Sequence, residues 1–217
     1  MHLAELFDLS YISELSALLA ALFLLRKRSG EWRFFTAYLI LIVVIETIGW
    51  YTGEVLQTDK YSWIYNIYLL AMGWFYLWIL SKAPVMARHR RDFRVLLYVF
   101  MVCALANLLF YQRWAVFNSY TEVLGNVMLA AVCCWLLFKL LKDDSPNRLT
   151  ADPHFWLANG LLFFSLGNIT VYLFYSFLGT FYKQTHIPLG YYIVNTTNVV
   201  LYGSLIAAFV CRKQTTK

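Results

Sequence analysis

Three carboxylates stand inside long apolar runs: Glu14, Glu46 and Glu122. Six asparagines accompany them in the same kind of surroundings: Asn66, Asn107, Asn126, Asn168, Asn195 and Asn198. A carboxyl group in hydrocarbon is costly unless it is neutral, paired or wet, so each is a functional candidate. Asparagine supplies both donors and an acceptor. Such residues could bind a small polar or amphipathic molecule, or hydrogen-bond helices to one another. No Lys or Arg lies among them to neutralise the acids. Measured along each helix from its nearest basic landmark (for example Arg26, Arg33, Lys82 or Arg212), all nine lie 12 to 17 residues away. At 1.5 Å per residue that is about 18–26 Å into a hydrocarbon core about 30 Å thick. They are expected to form one polar layer in the half of the membrane far from the basic loops.

The elements that must carry this layer follow from composition. The chain has 217 residues, 61% of them hydrophobic and 14% charged, whereas soluble domains carry about 25% charged residues. Seven apolar stretches alternate with polar breaks, at 9–25, 34–52, 61–81, 94–112, 118–138, 155–178 and 188–210. The expectation is an all-α polytopic membrane protein: one seven-helix transmembrane domain over 1–217, with continuous helices. Seven spans leave loops of about ten residues, too short for a nucleotide-binding fold or a soluble catalytic module. All four prolines fall in breaks or at helix starts. The first apolar run is preceded by acids and followed by bases, the charge order of an anchor and not of a cleavable signal.

Fifteen of the eighteen Lys and Arg residues fall on one side of this topology; only Lys60, Arg113 and Lys183 fall on the other. The positive-inside rule then puts the N-terminus outside and the C-terminus in the cytoplasm. It also accounts for the net charge of +6 without nucleic acid, because a basic rim attracts anionic lipid headgroups. Short loops and tails suit a prokaryotic inner membrane. Six tryptophans near helix ends, Trp32 among them, read as an interfacial belt.

Helices 1–3 and 5–7 would run in the same directions about helix 4, as in a 3+1+3 parallel repeat. Short matches such as Ile64-Tyr65-Asn66 with Ile193-Val194-Asn195 are thin support. Helical spacing places Tyr191, Asn195, Asn198 and Tyr202 on one face, Ser165, Asn168, Tyr172 and Tyr175 on another, and Cys103, Asn107 and Tyr111 on a third. Glycines within the helices are read as packing positions. The half nearer the basic loops is poorer in polar residues, with Tyr38, Tyr76, Tyr98 and Asn159 among Leu, Phe and Trp, which argues against an open channel.

No metal-ligand cluster, nucleophile motif or phosphate loop is present in the sequence. Neither catalysis nor a cofactor is expected. The first expectation for function is a sensor or receptor-like module: it binds a small external ligand through Glu14, Glu46, Asn66, Asn107, Glu122, Asn126, Asn168, Asn195 and Asn198, and signals through a cytoplasmic or membrane protein partner. The alternatives are a small-solute permease and a non-catalytic structural or assembly subunit.

Overall fold

The computed structural model describes residues 9–26, 30–52, 62–112, 116–142 and 149–214. Lys27, Arg28, Lys60, Arg113, Arg148 and Lys217, among the eighteen bases counted above for topology, lie outside the described residues. The helices are α1 (Leu9–Leu25), α2 (Phe34–Trp50), α3 (Ser62–Leu80), α4 (Arg90–Ala106), α5 (Ser119–Leu141), α6 (Pro153–Leu173), α7 (Tyr175–Thr185) and α8 (Leu189–Gln214). No strand occurs among the described residues.

Local propensity alone would not make all of these helices. The segment Ile40 to Ile45 of α2 is rich in β-branched residues, which favour strands in water. In hydrocarbon every backbone N–H and C=O must be paired within the segment, so an isolated apolar run becomes a helix whatever its propensity. Helix starts carry ordinary signals. Pro153 occupies the first turn of α6, and the Asp152 carboxylate accepts the His154 backbone N–H at 2.8 Å.

Six helical segments are long and apolar enough to cross a membrane: Glu31–Trp50, Ser62–Leu80, Pro84–Tyr111, Ser119–Leu141, Pro153–Leu173 and Leu189–Arg212. The chain is thus a helical apolar bundle of multi-pass membrane character. The seventh expected span, α1, is apolar but has 17 residues, about 25 Å of helix, a few ångströms less than the hydrocarbon thickness.

Two boundaries differ from expectation. The stretch read as one helix over 155–178 ends at Leu173, and Phe174 turns the chain into α7, which extends through residues taken for a polar break. A short helix mixing Phe and Tyr with Ser, Thr, Lys and Gln has too little mean hydropathy to register beside 20-residue apolar runs. The left-handed backbone of His186, at φ 56°, then closes it. The second difference is a π-helical turn at Asn107–Tyr111, which continues α4. It breaks the expected stripe on helix 4, because Asn107 turns inward while Cys103 and Tyr111 are exposed.

Neighbour relations close a ring. Helix α1 packs between α2 and α8; α8 packs on α6, α6 on α5, α5 on α3, and α3 on α2. Helix α4 lies against α3 and α5 from outside that ring. Phe100 is its wedge, filling the space over Gly73 and Gly125 where a Cβ would stand. The most extensive contact, α6 with α8, depends on close approach, since Gly160 meets Ser204 and Gly167 meets Thr197. Gly203 has open space around it and is not a packing glycine. The 3+1+3 repeat has no further support in this ring.

Ring contacts place the helix ends. Trp32 touches His154 and Phe209, Phe34 touches Trp78, and His89 touches Trp135. One end of the bundle therefore gathers the start of α2, α4 and α6 with the end of α3, α5 and α8. Arg33, Lys82, Arg94, Lys139 and Arg212 belong to it, and it is called the basic end below.

Candidate functional site

Near the far end, hydrogen bonds cross between helices at every step of the ring from α8 through α1 to α3. The Asn198 amide (α8) donates to Ser10 Oγ (α1) at 2.7 Å. Tyr202 (α8) donates its hydroxyl to Glu14 Oε1 (α1) at 3.0 Å. The Tyr11 and Thr47 hydroxyls join α1 to α2 at 3.2 Å. Tyr65 (α3) donates to Glu46 Oε2 (α2) at a longer 3.5 Å.

On the other side of the ring, asparagines hold the segment that leads into α5. Asn66 of α3 donates through Nδ2 to the Val116 carbonyl and accepts the Asn118 backbone N–H through Oδ1, both at 2.9 Å. Asn107, in the π turn, donates to Gln112 Oε1 at 2.9 Å and to Thr121 Oγ1 at 3.0 Å. Gln112 in turn donates to Ser119 Oγ and accepts the Tyr120 backbone N–H. A buried backbone group left unpaired costs about 1–3 kcal/mol. These side chains therefore have a sufficient structural role, because they satisfy chain that must leave one helix and enter the next.

The remaining predicted residues divide. Asn126, fully buried on α5, donates to Glu122 Oε1 at 2.8 Å and to the Glu122 carbonyl. Its Oδ1 has no hydrogen-bond partner, nor has the buried Ser165 Oγ on neighbouring α6. Asn168 donates to the Phe164 carbonyl of its own helix. Asn195 is buried on α8. The expected face on helix 6 is only partly inward, since Ser165 and Asn168 are buried but Tyr175 is exposed on α7. The same holds on α8, where Tyr191 is exposed while Asn195 and Tyr202 are buried.

A phenol absent from the expected set feels the charge of all three carboxylates. The Tyr68 hydroxyl of α3 lies within electrostatic reach of Glu14, Glu46 and Glu122, which come from α1, α2 and α5. Tyr68 also neighbours Tyr76, Tyr202 and Tyr38. Residues of four other helices, α1, α2, α5 and α8, surround it in this way, and Tyr68 as a whole is half-buried. Glu46 is half-buried as well, whereas Glu14 and Glu122 are buried. The acids are spread around this phenol and not clustered: among the described residues no three His, Cys, Asp or Glu could hold one metal ion. A signal for Tyr68 was present in the sequence, since Tyr68 and Tyr76 are two helical turns apart and share a face.

From this cluster a column of phenols leads toward the basic end through Tyr202, Tyr76 and Tyr38. It stops at an aromatic plug. Tyr38 stacks on Phe75 at 4.2 Å between ring centroids. Phe75 meets Phe35 edge-on at 5.0 Å, and Phe35 meets Phe209 at 5.4 Å and Trp32 at 5.3 Å. Trp32 is wholly buried, so it belongs to this plug and not to an interfacial belt. Beside it, His154 packs against the indole at 5.3 Å and its Nδ1 lies 3.1 Å from the Asp152 carboxylate. Asp152 stands just outside the membrane-spanning segment. Partial burial pushes its carboxyl up, but the His154 contacts and the Arg212 charge outweigh this and hold it below its ordinary value of 3.8.

No protein-family model, curated protein or solved structure matches this chain.

Proposed function

We propose that the protein is an inner-membrane sensor-type module without catalysis of its own. It takes a small ligand in the polar cluster around Tyr68, and binding alters how the basic end engages a partner. One arrangement supports the reading: carboxylates on three helices lie within electrostatic reach of one phenol, half-buried Glu46 among them, while stacked rings from Tyr38 to Trp32 fill the core toward the basic end. A polar layer toward one end with a packed aromatic layer toward the other suits reporting better than conduction. The ligand contacts come from Glu14, Glu46, Glu122 and Asn126, with Tyr68 and Tyr202. Asn168, Asn195 and Asn198 line the same half of the bundle on α6 and α8.

The hydrogen bonds of Asn66 and Asn107 favour a second reading for those two residues, a structural one, because loop and helix-start backbone already use their amides. The basic end, with Arg33, Lys82, Arg94, Lys139 and Arg212, is proposed to rest against anionic headgroups and to carry the partner surface.

The test is a thermal-unfolding screen of the full chain in nanodiscs against small polar and amphipathic molecules. A compound that raises the midpoint of the wild type but not of Glu46→Gln supports the reading. Counterflow of a labelled solute in vesicles would replace it with a permease. A screen without stabilising compounds, combined with a clear loss of stability in Glu46→Leu and Tyr68→Phe, would leave only the structural role.

A further inference from the structure

The short helix α7 has a level in the membrane that follows from its neighbours. Helix α6 has 21 residues, from Pro153 to Leu173. At 1.5 Å per residue that is about 31 Å, the full thickness of a hydrocarbon core. Helix α8 runs antiparallel beside it, with Gly160 against Ser204 and Gly167 against Thr197. The same register puts the end of α6 opposite the start of α8, where Leu178 and Val171 approach Gly190. Helix α7 therefore begins at the far end of the bundle, where hydrocarbon gives way to headgroups.

Its tilt follows from chain length. The helix has 11 residues, and standing upright on α6 it would lift Thr185 about 15 Å above that level. With neighbouring helix axes about 8–10 Å apart, Leu189 would then lie about 17 Å or more from Thr185. Four residues of chain reach about 14 Å at most. The helix must lean back over the bundle end, and it does touch both α6 and α8.

Its two sides differ. Ser176, Thr180 and Lys183, four and three residues apart, form an exposed polar stripe. On the other side Leu178 and Phe181 are half-buried, while Phe177 stays 62% exposed beside the Phe181 ring. Phe177 also extends a longer pattern. Phe163, Leu166, Leu173 and Phe174 are exposed at helical spacing, and Phe177 is next in that series. Thr170, in the same stripe, donates its hydroxyl to the Leu166 carbonyl at 2.8 Å and so needs no water. The exposed apolar flank of a membrane-spanning helix thus continues past the end of the span.

We propose that α7 is an interfacial helix whose partner is the bilayer surface. It lies among the headgroups of the leaflet farther from the basic end, with Phe174 and Phe177 in the acyl boundary and Ser176, Thr180 and Lys183 toward water. Amphipathic helices with aromatic residues on one side and a base on the other rest in this way, their apolar face about 5–10 Å into the boundary. The proposal is independent of any ligand site near Tyr68.

The experiment places an environment-sensitive fluorescent amino acid at position 177, or at 180 in a second variant, of the full chain in nanodiscs of neutral lipid. One quencher is a lipid carrying a nitroxide high on its acyl chain, and the other is iodide in the water. The expected result is lipid quenching about twofold or more stronger at 177 than at 180, with the iodide order reversed. Should the variant at 177 fail to fold, position 174 on the same stripe gives the same comparison. Equal lipid quenching at the two positions overturns the proposal, as does iodide quenching at 177 that matches that at 180. A probe at 177 shielded from both quenchers also overturns it, because a second copy of the chain or another protein would then cover that face.

Discussion

The two ends of the bundle are held by different physics. Near the far end, helices are joined by directional hydrogen bonds of Asn, Glu, Tyr, Thr and Ser, spaced around the ring. At the basic end, Trp32, Phe35, Phe75 and Phe209 interlock at centroid distances from 5.0 to 6.4 Å. Hydrogen bonds between membrane helices contribute modestly, about 0.6 kcal/mol each on average, because unassociated helices also find polar partners. Ring packing removes voids and cannot be replaced by any one substitute contact. The polar end is therefore the adaptable one: its bonds can be exchanged for bonds to a ligand at small net cost, whereas the plug cannot open without losing its contacts outright.

That contrast can be broken by substitution. Truncating the plug is expected to have the largest effect: Trp32→Ala should cost about 3 kcal/mol through lost contacts and a cavity, read as a lowered midpoint in denaturant unfolding of the full chain. A loss no greater than that of a far-end hydrogen-bond variant would erase the distinction. Next comes Asn66→Leu, which strands the Val116 carbonyl and the Asn118 N–H. It should cost about 2 kcal/mol and speed amide exchange at the start of α5; unchanged exchange there would deny Asn66 its clamping role.

Smaller effects follow at the carboxylates. Glu46→Gln retains an acceptor for Tyr65 and should change stability by less than about 0.5 kcal/mol, whereas Glu46→Leu removes the acceptor and should cost about 1 kcal/mol. Equal, severe loss of folded protein in both variants would mean that the carboxyl itself is indispensable to the fold. The smallest effect at neutral pH concerns the basic end. The Asp152 carboxyl is held below its ordinary value by His154 and Arg212, so its contribution is present above that value of 3.8 and is lost as pH falls through the lower folded value. Asp152→Asn should flatten the acid limb of the stability profile, and an unchanged limb in the variant would show that Asp152 contributes nothing to it.

Part of this was legible in the residues. The three glutamates and the asparagines could be placed at one depth from spacing alone, because a helix rises by a constant amount per residue. Depth does not tell direction, however. Cys103, Asn107 and Tyr111 are spaced as one stripe, yet a π turn sends Asn107 inward and leaves the other two exposed. Trp32 read as an interfacial residue because it lies near a helix end, and only the approach of His154 and Phe209 makes it core. The polar asparagines looked alike in sequence, but Asn66 and Asn107 serve the chain entering α5, Asn168 bonds its own helix, and Asn126 turns an unpaired oxygen toward its surroundings.

The amino-acid sequence by itself determined that the chain is helical, apolar and multi-pass, since hydrocarbon length and the obligation to pair every backbone group leave few other outcomes for six such runs. It also set the depth of the polar residues. Only the tertiary structure decided which acids share a neighbour, which amides are already engaged and which end is closed. Those outcomes depend on how each helix is rotated about its own axis against its neighbours. That rotation is set by pairs such as Phe100 over Gly73 and Ser204 over Gly160, contacts between residues distant in the chain that no local pattern records.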